Sequence, residues 1–231
     1  MSEFRLLGPF EAVRDGAPVS LSRRRQERLL LAVLLLAPGR AVGAGRLAEL
    51  LWDGGGDEGR GRGTLHTYVS RLRVALRPYG VRIVTRGDGY AAEPGGWRTD
   101  AADFAERARA AAALRDPEER LRRTEEALRL WRGELLDGLA DSELRARLGG
   151  ELAELRLGAL EQRAEDRLHT GLDGRRDAGG SLAAELRPLV ARYPLRERLV
   201  AALMTALYRA GRQAEALDVY RTTRETTGCL A

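Results

Sequence analysis

The stretch "TLHTYVSRLRVALRP", residues 64–78, decides how the first half of the chain is read. Leu65, Val69, Leu72 and Leu76 recur at intervals of four and three, which stacks them on one face of a helix. The opposite face carries Thr67, Ser70, Arg71 and Val74. On an isolated amphipathic helix such a face is ordinarily a solvated surface, so its meaning depends on what flanks it.

Upstream, residues 4–21 read as short strands, with Asp15-Gly16 as a hairpin turn because both residues tolerate positive φ. Ser22 is then the expected N-cap of a helix over "RRRQERLLLAVLLLA", closed by Pro38-Gly39. A second helix is expected over about 45–52, with Leu47, Leu50 and Leu51 facing inward. "DGGGDEGRGRG", residues 53–63, has six Gly in eleven positions and reads as a loop. It contains a G-x-G-x-x-G match at Gly54, Gly56 and Gly59, but a helix precedes it where dinucleotide binding needs a strand, so a flexible connector is the expectation. Downstream, "RIVTRGDGYAAEP", residues 82–94, reads as a hairpin with Arg86-Gly87-Asp88-Gly89 at its tip.

Strands, three helices and a final hairpin are the element order of a winged helix, whose third helix enters the DNA major groove with the hairpin beside it. The outer face of that helix is built of small or Arg side chains that can reach base edges. Charge agrees. Residues 1–98 hold 16 Arg against 10 acidic residues, a net +6, whereas residues 99–231 hold 23 against 24, a net −1. That asymmetry points to an anionic partner for the first half.

Composition narrows the other chemistry: a carboxylate-only enzyme stays open, but nothing marks a carboxylate pair out. All 39 basic residues are Arg, so neither a phosphate-loop lysine nor a Schiff base is available. His66 and His169 are the only His and Cys229 the only Cys, too few for a Cys/His metal cluster or an internal disulfide. No catalytic, cofactor-binding or metal residue is expected, and the reading is of a protein that is not an enzyme. The N-terminus has no signal-peptide pattern, and the longest apolar run, Leu29 to Ala37, is nine residues, against roughly 20 for a membrane span. A cytoplasmic protein with no membrane partner is expected. With no secretion signal, the Arg-Gly-Asp at 86–88 reads as a chance match to an adhesion motif.

"EPGGWRT", 93–99, reads as a linker, and beyond it no strand signal appears. Helices are expected near 100–114, 117–132, 142–170, 181–192, 196–210 and 213–226. Leu207, Gly211, Ala216 and Tyr220 sit where a tetratricopeptide repeat wants them, with the aromatic filling the groove between two helices, although Thr223 stands in place of the usual Ala and no strict 34-residue period holds. An ordinary helical bundle is the alternative.

Taken together, "RLLGPFEAVRDGAPVSLSRRRQERLLLAVLLLAPGRAV", "LAELLW", "HTYVSRLRVAL", "TRGDGY", "WRGELL" and "PLRERLVAALMTALYRAGRQAEALDVYR" closely resemble the Streptomyces antibiotic regulatory protein family over nearly the whole chain. The resemblance implies a mainly α fold. A response-regulator-type winged helix-turn-helix (α+β) over 1–94 would be followed by an all-α, tetratricopeptide-like bacterial transcriptional activator domain over 95–231. It implies an activator of an antibiotic gene cluster in the bacterial nucleoid. Its partners would be promoter DNA with direct repeats, RNA polymerase holoenzyme including the sigma factor, and its own copies on DNA. By position, Thr67, Ser70 and Arg71 would face the major groove. Arg24, Arg25, Trp52, Tyr68 and Arg73 would approach the backbone, and Arg86 of the wing would reach the minor groove. The Gly-rich connector after Trp52 would face the polymerase. Family members often carry His at the position of Tyr68 and a second Arg at that of Val74. The rival reading is a helical protein-interaction scaffold with a basic RNA- or protein-binding domain.

Overall fold

The computed structural model describes the backbone of residues 1–19, 21–52, 58–171 and 178–228, and their side chains except at 58–62, 178–179 and 226–228. Two compact units form, one from residues 1–106 with 129–153, the other from 107–128 with 154–231.

In the first unit, β1 (Ser2–Arg5), β2 (Glu11–Arg14) and β3 (Ala17–Val19) run antiparallel in sequence. Asp15 and Gly16 both have positive φ, 50° and 85°, the two-residue turn that a twisted hairpin prefers. The segment 93–99 is only partly a linker: β7 (Trp97–Thr99) joins this sheet parallel to β1, giving the order β3-β2-β1-β7. Trp97 is buried there, edge-on to Phe4 with ring centroids 6.0 Å apart.

Helix α1 (Arg25–Leu36) buries every residue from Leu29 to Leu35, so it is the central helix of the unit. Ser22 does not cap it. The cap position is Arg24, and the Ser22 hydroxyl instead accepts the Arg24 amide and donates to Glu27 Oε2. After β4 (Val42–Gly43), α2 (Ala44–Trp52) buries Leu47, Leu50 and Leu51 as the spacing requires. The third helix, α3, covers Glu58–Leu76 and so takes in the second half of the Gly-rich stretch read as a loop. Residues 53–57, with two of the three glycines of the nucleotide-like match, lie outside the described residues. Helix propagation adds one hydrogen bond per residue once a nucleus exists, so the strongly packed turns from Leu65 onward can extend backward through glycines that would not nucleate a helix.

The wing is β5 (Ile83–Arg86) and β6 (Gly89–Ala92), with β4 completing a sheet of order β4-β6-β5. Gly89 is required by close approach: a Cβ there would sit 2.3 Å from the Val42 carbonyl oxygen.

Helix α4 (Asp100–Ala112) starts with a carboxylate that organises the chain's first residues. Asp100 Oδ1 accepts the Leu6 amide at 2.6 Å and Oδ2 the Leu7 amide at 3.1 Å. The carbonyls of Leu6, Leu7 and Gly8 accept from the amides of Leu136, Arg132 and Asp137. Phe104 meets Trp131 edge-on at 5.4 Å, which further holds 129–153 in this unit.

The second unit is helical: α5 (Pro117–Leu128), the latter part of α6 (Ser142–His169), α7 (Ala178–Arg192), α8 (Glu197–Arg209) and α9 (Gln213–Gly228). Leu157, Leu168, Leu182, Leu186, Leu199, Leu203 and Leu207 pack together with Ala216. Of the repeat-like positions, Leu207 and Ala216 are buried and Gly211 lies in the α8–α9 turn, but Tyr220 is 51% exposed and fills no groove. Asp166 is fully buried. Its carboxylate is gripped by the Arg120 guanidinium through Nε and Nη2 and by Gln162 Nε2, while Arg120 Nη1 donates to the Leu114 carbonyl. On α6, Glu165 receives Arg198 at 2.7 Å through both Nε and Nη2, which holds its carboxyl below the ordinary range.

Burial pushes the Asp100 carboxyl above its ordinary value of 3.8, although the Leu6 and Leu7 amides and Arg132 pull the other way. An acid whose pKa is raised on folding holds its proton more tightly in the folded state. Its contribution is therefore fullest below the ordinary carboxylate pKa and declines as pH rises through the raised value. Asp100→Asn removes this dependence, so its cost measured by urea unfolding is expected to be larger near pH ~4 than near pH ~7. Asp100→Ala strands two buried amides and is expected to cost about 1–3 kcal/mol for each.

Candidate nucleic-acid interface

The face of α3 opposite its buried Leu65, Val69, Leu72 and Leu76 is open. Thr67, Arg71 and Val74 are exposed and Ser70 half-buried, and Val74 at 75% is the most exposed large apolar side chain among the described residues. Thr67 turns its hydroxyl back to the Gly63 carbonyl, 3.1 Å away, as a mid-helix threonine can. Beside this face the N-terminus of α1 presents Arg23, Arg24 and Arg25, all exposed. Helix N-termini carry partial positive charge and free amides, so guanidinium groups there reinforce an anion-attracting end.

Arg71, read from the sequence as the base-contacting arginine, reaches α1: its Nη1 donates to Glu27 Oε1 at 3.2 Å. Arg24 Nη1 lies 3.7 Å from the same oxygen. Trp52, at the end of α2, and Tyr68, on α3, stand with ring centroids 6.1 Å apart and both half-buried. The pair ties the two helices together.

Arg73 turns away from the open face toward the wing. Its Nε donates to the Ile83 carbonyl at 2.8 Å, its Nη2 to Thr85 Oγ1 at 3.0 Å, and its guanidinium sits 5.9 Å from the Tyr90 ring centre. Arg86, exposed beside the wing turn, donates through Nη1 to the Gly39 carbonyl at 2.9 Å. The amide of Ala44, first residue of α2, donates to the Asp88 carbonyl in that turn. Thr67, Ser70 and Arg71 thus share one face, with Arg24 joined to it through Glu27. Trp52 and Tyr68 form a second cluster, Arg73 and Arg86 belong to the wing, and Arg25 begins α1.

Sequence reasoning missed Glu27. It is buried on α1, on the same face as Leu31 and Leu34 one and two turns later. An acid in that register at the head of an apolar run is the legible signal. No group of three or more His, Cys, Asp or Glu suited to a metal is present among the described residues, and no described helix is long and apolar enough to cross a membrane.

This arrangement of central helix, exposed third helix and tied wing is that of a winged-helix DNA-binding module. Residues 16–92 match the family described as "Transcriptional regulatory protein, C terminal", and residues 99–227 match the bacterial transcriptional activator domain. The chain is 42% identical to the regulatory protein AfsR of Streptomyces coelicolor over 96% of its own length, but spans only 22% of that relative. It is 34% identical to the regulatory protein DnrI of Streptomyces peucetius, covering 97% of the chain and 84% of that protein. Among solved structures it resembles Mycobacterium tuberculosis EmbR in complex with a low-affinity phosphopeptide, at a TM-score of 0.78 and 33% identity, over 97% of this chain and 59% of that one. The chain belongs to the Streptomyces antibiotic regulatory protein family of transcriptional regulators.

Arg73 gives a structural test. Arg73→Lys keeps the charge but cannot make the forked contact with Ile83 and Thr85. It is expected to lower stability by about 1–2 kcal/mol and to raise hydrogen exchange across β5 and β6, as read by chemical unfolding and amide exchange.

Proposed function

We propose that this chain is a sequence-specific DNA-binding activator of a secondary-metabolite gene cluster, acting in the bacterial nucleoid. In this reading residues 1–94 hold the DNA-binding surface and the helical remainder, 95–231, holds copies together on tandem sites or touches the polymerase. Helix α3 lies in the major groove with Thr67, Ser70 and Arg71 toward base edges. Arg24 and Arg25 meet phosphates, Trp52 and Tyr68 pack near the backbone, and Arg86 leaves Gly39 for the minor groove. Direct repeats near the promoter would seat two copies, and RNA polymerase holoenzyme would be the downstream partner.

The observation that carries this reading is the open α3 face bordered on one side by three exposed arginines at the start of α1 and on the other by the wing. Small polar side chains flanking an arginine can approach base edges closely, while the bordering cations neutralise phosphates. The Streptomyces relatives AfsR and DnrI are named as regulatory proteins, which agrees with a regulatory role.

The test is binding of the full chain to a promoter fragment with a direct repeat against a scrambled fragment, across a salt series. Specific binding with a steep salt dependence is expected. Arg71→Ala should weaken binding to the repeat by about 1–3 kcal/mol and to scrambled DNA much less. Arg86→Ala should weaken binding most where AT-rich flanks narrow the minor groove. Equal affinity for both fragments, or preference for RNA, would return the scaffold reading.

A further inference from the structure

The open face of α3 is not independent of α1. Glu27 is buried, with only 6% of its side chain exposed, and three groups converge on its carboxylate. The Ser22 hydroxyl donates to Oε2 at 2.6 Å, Arg71 Nη1 donates to Oε1 at 3.2 Å, and Arg24 Nη1 lies 3.7 Å from Oε1. The two arginines are 48% and 60% exposed. A buried carboxylate without cationic partners is costly, so Glu27 binds these guanidinium groups more firmly than an exposed acid would. Among the described residues the Nε–Nη2 edge of Arg71 has no partner, while Nη1 is committed to the carboxylate.

A carboxylate holding two surface arginines presents them with what a DNA phosphate would present. Any sequence of DNA offers phosphates, and those must displace Glu27 to engage Arg24 or Arg71 fully. A guanine offers something else: N7 and O6 accept a bidentate pair from one edge of an arginine. Arg71 can give its free edge to such a base without leaving Glu27. The carboxylate therefore taxes phosphate binding while permitting base reading.

We propose that Glu27 is an intramolecular phosphate mimic and a specificity-determining residue, holding Arg24 and Arg71 back from non-cognate DNA and aiming the free edge of Arg71 at base edges. The proposal rests on the DNA-binding reading of α3. Substituting Glu27→Gln keeps the shape and an acceptor for Ser22 but releases both arginines.

The experiment uses the full chain and a duplex recovered by the wild type from a random-sequence pool, with a scrambled duplex of equal length and composition, in fluorescence anisotropy across a salt series. Glu27→Gln is expected to bind the scrambled duplex about three- to tenfold more tightly, with a log–log salt slope steeper by about one to two, the signature of one or two added phosphate contacts. The ratio of selected to scrambled affinity should fall about tenfold by the same competition. In an Arg71→Ala background the same substitution should lower that ratio little further, because the two act through one contact. If Glu27→Gln melts well below the wild type, Ser22→Ala reads the effect from the other side. A carboxylate short of one donor holds Arg71 more tightly, so scrambled-duplex affinity should drop and the ratio rise. An unchanged ratio, or equal gains on both duplexes, overturns the proposal. Recovery of no duplex at all from the pool instead overturns the DNA-binding reading beneath it.

Discussion

The Asp100 carboxylate is the contact on which the first unit depends. Leu6, Leu7 and Gly8 leave β1 with no neighbouring strand for their peptide groups, and the two leucines are fully buried. A buried peptide group without a partner costs as much as a lost hydrogen bond, so this crossing is possible only where something else supplies donors and acceptors. Asp100 takes the amides, and residues 132–137 supply amides to the carbonyls. The Pro9–Asp137 bridge continues the same contact.

That arrangement explains why the compact units and the family matches divide the chain differently. Residues 129–153 fall within the stretch matching the activator domain, yet they belong to the unit that holds the winged helix. Severed after residue 94, the winged helix would lose β7 from its sheet and Asp100 from the Leu6 and Leu7 amides. The proposed DNA-reading surface lies in 1–94, but the packing that completes its first sheet does not.

Much of the fold was legible because long apolar periodicities are strong signals. The inward leucines of α2 and α3 and the hairpin turns at Asp15-Gly16 and Arg86–Gly89 stand where their spacing puts them. What escaped was non-local or weakly encoded. Three residues of β7 make too short a pattern, and Trp97 is explained only by Phe4, far off in sequence. Gly-rich composition argued against helix at 58–63, where continuity with packed turns prevailed. At the candidate site, the outward residues of α3 could be read from periodicity, but not where each arginine turns. Arg73 and Arg71 are two residues apart, and one folds back onto the Ile83 carbonyl and Thr85 hydroxyl of the wing while the other is held by an acid on α1. Helical phase separates the two faces; it carries nothing about partners more than a turn away.

The wing is secured at three points: Arg73 binds β5, Ala44 binds the turn at Asp88, and Arg86 binds the carbonyl of Gly39. Even with Arg86 released toward a minor groove, as proposed above, a hairpin fastened to the third helix by Arg73 and to the second helix by Ala44 has little swing of its own. Helix and wing thereby act as the two jaws of a caliper with a fixed gap. In the proposed binding mode, with helix and wing in adjoining grooves, a mismatch in groove geometry would be absorbed by the duplex, and the elastic cost of that distortion differs from sequence to sequence. Such a clamp would rank sites by how readily they bend to it, including at base pairs that no side chain touches.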